Sequence, residues 1–217
     1  MNKKKRTYSQ ETIDQYKRTI KYFEGLEPEG VTVLTGTNGS GKSLIRKQMP
    51  FAVQQWYELE DVKETKGMIK STSMDARTGS RPELGALSSI MNDVDWVATS
   101  QNTFGCVEKM FNAVEKDERT KYLIVDEFEI GLGEETVLAI VQYMNERIKK
   151  LMDAHLEGAI VITHSRLGVQ HLVHDHFVNL DGMTEDEWLN REVIPTDLKK
   201  LDNNELFFYI RDKQNDK

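Results

Sequence analysis

The sequence predicts an α/β protein, a mostly parallel β-sheet with helices on both faces. Three observations carry that prediction. Tyr122-Leu123-Ile124-Val125 and Ala159-Ile160-Val161-Ile162-Thr163 are short runs without polar alternation, the pattern of strands buried on both faces. Between them lies a segment whose apolar residues recur at helical spacing, and strands alternating with amphipathic helices build parallel sheets. The third observation is Gly36-Thr37-Asn38-Gly39-Ser40-Gly41-Lys42-Ser43, a G-x-x-x-x-G-K-S loop. It is fed by the apolar run Val31 to Thr35 and left by a helix that opens at Ser43-Leu44-Ile45.

From the amino end, Thr7-Tyr8-Ser9-Gln10 fits a capping box. Ile13, Tyr16, Ile20 and Phe23 follow at helical spacing, predicting a helix over residues 9–24. Glu27-Pro28-Glu29-Gly30 turns the chain into the strand that precedes the loop. The helix after Lys42 meets Pro50, which lacks an N–H and crowds the preceding turn, so it is expected to kink or end there before Phe51 to Leu59 continue. Met68 to Met74 reads as a strand, and residues 75–85, with Gly79, Pro82 and Gly85, as a loop. Ser100 or Thr103 can cap a helix whose apolar face is Phe104, Val107, Met110, Phe111 and Val114. A second long helix, from about Glu134 to Met152, carries Val137, Ile140, Val141, Met144, Ile148 and Leu151 as its buried stripe. Thr184-Glu185-Asp186-Glu187 is another capping-box candidate, Pro195 breaks the chain, and Glu205 to Ile210 reads as a final strand.

Composition narrows the class. A chain of 217 residues is expected to form one domain over 1–217, with residues 1–8 a basic tail, burying about 70% of the surface its unfolded form exposes. Cys106 is the only cysteine, so an intrachain disulfide is excluded and a reducing, cytoplasmic setting is expected. No apolar run approaches the roughly 20 residues of a membrane span, and the basic start is followed by polar residues, so neither membrane nor signal peptide is expected. The formal charge of −7, from 29 basic and 36 acidic residues, argues against a broad nucleic-acid footprint, although Lys3 to Arg6 can touch phosphates locally.

The glycine loop points to a nucleoside triphosphate. Its glycines let successive backbone N–H groups turn inward around phosphates, and the positive end of the following helix faces the same anion. Lys42 can reach the outer phosphates and the Ser43 hydroxyl can ligate Mg²⁺. The strand 122–125 ends in Asp126-Glu127, at the carboxyl end where open α/β sheets bind ligands, so Asp126 can reach the same Mg²⁺. Glu127, beside the metal ligand but pointing elsewhere, can orient and deprotonate water for attack on a γ-phosphate. His164 follows the other apolar strand, where an imidazole can hydrogen-bond the γ-phosphate or the attacking water.

In order, Thr35 to Ser43, Leu123-Ile-Val-Asp-Glu127, Glu129-Ile-Gly-Leu-Gly133, Ile162-Thr-His-Ser165, and Asp175 with Leu180-Asp181-Gly182 resemble the motifs of ABC-type ATPase domains. These belong to the P-loop NTPase fold. Leu34-Thr-Gly-Thr-Asn38 with Ile45 to Gln48 is similar to soluble members of mismatch repair and chromosome maintenance more than to transporters. The resemblance implies that Asp126 holds Mg²⁺ through water, Glu127 is the catalytic base and His164 the switch histidine. It also implies that ATP closes a homodimer across a loop containing Gly131-Leu132-Gly133. The family's Ser-Gly-Gly-Gln signature has one counterpart here, Thr99 to Thr103. Ser100 in it either meets the γ-phosphate held by the other subunit or is a plain N-cap, and both signature glycines are missing. No Gln lies between Trp56 and Ser100, so the family's lid glutamine is absent and Asp75 is the substitute. Tyr8, Tyr16 and Tyr22 stand where an adenine-stacking aromatic belongs, but also fit a packed helix. His171, His174 and His176 do not share one helical face and do not read as metal ligands.

The expected function is therefore an ATP hydrolase using ATP and Mg²⁺ at Gly36, Thr37, Asn38, Gly39, Ser40, Gly41, Lys42, Ser43 and Leu44, with Ser100, Asp126, Glu127 and His164. Two alternatives stay open: a kinase on the same loop, with Arg77 and Arg81 as lid arginines, and a nucleotide-gated binding module without turnover. The length leaves no room for coiled-coil arms, a mismatch-repair clamp or a transmembrane domain. Work through a protein partner or directly through a dimer surface is expected, and DNA maintenance, defence and phage biology all stay open.

Overall fold

The computed structural model describes residues 29–37, 40–73 and 99–192. Five strands, β1 (Gly30–Thr35), β2 (Ile69–Ser73), β3 (Tyr122–Asp126), β4 (Gly158–Ile162) and β5 (His176–Asn179), form one sheet in the order β2-β3-β4-β1-β5. Every pairing is parallel. The helices are α1 (Lys42–Trp56), α2 (Thr99–Glu115), α3 (Glu134–Ala154), α4 (Arg166–His171) and α5 (Glu185–Asn190), with a 3-10 turn at Val62–Thr65.

The unbroken apolar runs have the cause expected of them, because both sheet faces are covered. Val31, Val33, Leu123, Val125, Ala159 and Val161 pack on one face with residues of α2, α3, α4 and α5. Leu34, Tyr122, Ile124, Ile160 and Ile162 pack on the other with Ile45, Met49, Ala52 and Val53 of α1. A strand's successive side chains alternate between faces, so a central strand of a doubly covered sheet needs an apolar residue at every position. With the glycine loop joining β1 to α1, this is the P-loop NTPase α/β architecture. The stripe expected on the long helix is buried on α3 at all six positions. On α2, Val107, Met110, Phe111 and Val114 are buried, while Phe104 stays partly exposed with its ring edge-on to Tyr143 at 5.1 Å between centroids.

Pro50 neither ends nor divides its helix: α1 runs unbroken through it to Trp56. The carbonyl that loses its helical donor belongs to Arg46. Arg46 and Pro50 are both only partly buried, so water can serve that carbonyl, while Met49, Ala52 and Val53 seat the helix on the sheet. The capping box at Thr184 forms as expected, with Glu187 as its reciprocal partner. Among the described residues no helix is long and apolar enough to cross a membrane. The expected helix 9–24 with Tyr8, Tyr16 and Tyr22, the 75–85 loop with Asp75, Arg77 and Arg81, Pro195 and the strand 205–210 lie outside the described residues.

Phe111 has no exposed surface and sits among residues from two helices and the sheet. Phe111→Ala is expected to lower the unfolding free energy by about 3 to 5 kcal/mol. Urea denaturation monitored by circular dichroism measures the loss.

Candidate functional site

The site is set by strand register. Leu34 of β1 pairs with Ile162 of β4, and Ile162 pairs with Asp126 of β3. Neighbouring strands lie about 4.8 Å apart, so the loop leaving β1 and the acids leaving β3 stand about 10 Å apart, with the end of β4 between them. All three chains leave the sheet on the same side, because all three strands are parallel.

The phosphate loop begins at Gly36. A Cβ there would crowd Ser40 Oγ at 2.5 Å and Leu180 Cβ at 3.2 Å, at a φ of 154° that side-chain-bearing residues rarely adopt, so glycine is favoured. The loop ends at Gly41, the N-cap of α1, whose left-handed φ of 104° is the conformation glycine adopts without strain. Lys42 is 5% exposed and its Nζ donates to the carbonyls of Gly36 at 2.9 Å and Thr37 at 2.8 Å. The loop thus holds its own cation over its mouth. From the other side, Asp181 accepts the Thr37 N–H at 2.6 Å and the Thr37 hydroxyl at 3.0 Å.

Beyond β3 the sequence Asp126-Glu-Phe-Glu129 alternates in function. Asp126 ends the strand, 1% exposed. Phe128 is fully buried in the main core and pins the turn from below. Glu127 takes a left-handed backbone conformation, φ 54°, while its N–H still bonds the Ile162 carbonyl at 2.9 Å. A non-glycine residue in that region costs roughly 1 to 2 kcal/mol, and such outliers concentrate where a side chain must be aimed.

His164 Nε2 lies 3.3 Å from Glu127 Oε1. Burial and the nearby Lys42 ammonium hold the imidazole below its ordinary value, against the pull of Glu127. The ring is therefore neutral near pH 7 and can donate or accept one hydrogen bond at each of its nitrogens in turn, according to tautomer. Its backbone N–H donates to Glu129 Oε1 at 2.6 Å. The next residue, Ser165, caps α4 by accepting the Gly168 N–H at 3.0 Å. Burial pushes the Glu129 carboxyl above the usual carboxylate range, opposed by that His164 N–H.

The parallel sheet thus brings Gly36, Thr37, Ser40, Gly41, Lys42, Asp126, Glu127 and His164 to its carboxyl edge. Ser43 and Leu44 lie in the first turn of α1, and the Leu44 N–H bonds the Gly41 carbonyl at 2.9 Å. Asn38 and Gly39 lie outside the described residues. Ser100 lies within α2, which is described from Thr99, so it is a helical residue and not the N-cap. Of the three histidines at 171–176, His174 is tied to the Leu172 carbonyl and Glu185, a link between α4 and α5. Glu129 as the support of His164 is the residue sequence reasoning missed. The available sign was a third acid two residues past Glu127, across a phenylalanine.

No protein-family model matches the chain, and no curated protein does. Among solved structures, Pif1 helicase from Candida albicans aligns over 81% of this chain and 40% of its own, with a TM-score of 0.36 and 13% identity. This chain therefore spans about two fifths of the length of that structure.

Glu129 keeps its proton to higher pH in the folded chain than in the unfolded one, whose value is near 4.5. Its contribution to stability is full below that pH and is lost as pH rises through the folded value. Glu129→Gln retains an acceptor for the His164 N–H without the charge. The stability of the variant relative to wild type is expected to grow as pH rises from about 5 toward neutrality. Urea titrations across that range test it, and a difference that stays constant with pH would contradict the assignment.

Proposed function

We propose that the chain binds ATP and hydrolyses it to ADP and phosphate, in the manner of an ABC-type ATPase. The observation that supports this best is the meeting of three elements at one sheet edge: a lysine-bearing glycine loop on β1, an acid pair on β3, and a histidine on β4 within 3.3 Å of the second acid. The loop amides and Lys42 take the phosphates, and the buried Asp126 carboxylate with Ser43 supplies the hard oxygen donors that suit Mg²⁺. Mg²⁺, when bound, neutralises charge on the phosphate oxygens.

Glu127 takes a proton from the attacking water, from a left-handed backbone position directly after Asp126. His164, neutral and beside Glu127, offers a hydrogen bond to the γ-phosphate or to the water. Dimer closure on ATP, with Ser100 reaching the nucleotide of the other subunit, rests on the motif resemblance and is part of the proposal, as is a protein partner that uses the motion.

Lys42→Ala is expected to abolish nucleotide binding. Glu127→Gln is expected to bind ATP and lower turnover by about 10² to 10⁴. A phosphate-release assay without any acceptor reads turnover, and light scattering with and without ATP reads association. Wild-type turnover by Glu127→Gln would remove Glu127 as the base. No phosphate release from wild type, together with transfer to an added acceptor, would favour a kinase.

A further inference from the structure

The peptide joining Gly36 to Thr37 is gripped on both edges. Its carbonyl accepts from Lys42 Nζ at 2.9 Å and its N–H donates to Asp181 Oδ2 at 2.6 Å. A cation on the carbonyl and an anion on the N–H polarise one amide in the same sense, so each contact strengthens the other. The second Asp181 oxygen accepts the Thr37 hydroxyl at 3.0 Å, which fixes the carboxylate in a two-point hold.

Asp181 is itself held in place. Asn179, the last residue of β5, accepts the backbone N–H groups of Asp181 and Met183 at 2.9 and 3.1 Å and donates to the Thr35 hydroxyl at 2.9 Å. Leu180 donates its N–H to the Thr35 carbonyl at 3.0 Å, and its Cβ lies where a side chain at Gly36 would have to go. The end of β5 therefore forms a template against which the first turn of the phosphate loop is set.

We propose that Asp181 is a positioning residue for nucleotide binding, one that fixes the entry of the phosphate loop so that its amides need little reordering when phosphate arrives. The inference rests on the nucleotide reading above and adds a residue to it. Asp181 touches the loop and not the reacting atoms, so its loss acts on binding and spares the chemical step. A cradle ordered beforehand binds more tightly because less conformational freedom is lost on binding.

The test compares wild type, Asp181→Ala and Asp181→Asn by Mg·ATP titration calorimetry, steady-state phosphate release, thermal melting, and hydrogen exchange of the nucleotide-free loop peptide. Asp181→Ala is expected to weaken ATP binding and raise KM about tenfold, with kcat within about twofold, the loss expected for charge-assisted hydrogen bonds at an exposed loop. Asp181→Asn can still accept the Thr37 N–H and donate to its hydroxyl, so it is expected to restore affinity to within about threefold of wild type. Loop amides are expected to exchange faster in Asp181→Ala and near wild-type rates in Asp181→Asn.

Equal ATP affinity in wild type and Asp181→Ala would overturn the proposal, as would an Asn variant as poor as the Ala variant. A fall in kcat with KM unchanged would do the same. If wild type binds no ATP, the nucleotide reading fails by itself, and the hold on the loop is then judged by exchange alone: unchanged protection in Asp181→Ala overturns it.

Discussion

The candidate site depends on one row of residues, Leu34, Ile162 and Asp126, paired side by side across three parallel strands. Parallel pairing sends all three chains off the sheet on one side, and register decides which residues stand at the lip. A slip of one residue in β3 would exchange the faces of its side chains and move Asp126 out of line with the loop. Burial on both faces seats these strands, with Leu123, Val125, Ala159 and Val161 on one side and Ile124, Ile160 and Ile162 on the other, and the close packing of each face against its helices selects the register. The chemistry at the edge is thus specified by packing below it.

Much of this was legible in the sequence because it follows from periodicity. The all-apolar runs at 122–125 and 159–163 identified buried strands, the stripe from Val137 to Leu151 identified α3, and the glycine spacing identified the loop. The row of chemical groups was legible too, since Lys42, Asp126, Glu127 and His164 each follow or precede a recognisable strand. Of the two outcomes expected at Pro50, a kink or an end, the second does not occur, since local preference alone leaves out tertiary contacts. Met49, Ala52 and Val53 hold the helix on the sheet against the loss of one hydrogen bond. Ser100 was read as a possible cap and lies inside α2.

What the sequence could not disclose is support through long-range polar contacts. Glu129 reaches the His164 backbone across 35 positions and Asp181 reaches Thr37 across 144. No local spacing encodes either. Both are carboxyl groups accepting backbone N–H groups, one partly buried beside the histidine and the other exposed beside the loop. Phe128 shows how local and distant determinants meet: its ring is anchored in the core, and that anchor turns a run of acids into groups with separate aims.

The face of the sheet opposite α2 and α3 has a mechanical consequence. Its core is closed by α1, and α1 is the direct continuation of the phosphate loop. Close-packed interiors resist gradual deformation and change by discrete steps. Any displacement of the loop must therefore either be absorbed at its glycines or drive α1 across Leu34, Ile124 and Ile162 as a lever. Pro50, with one rung of the helical ladder missing, is the point along that lever where bending costs least.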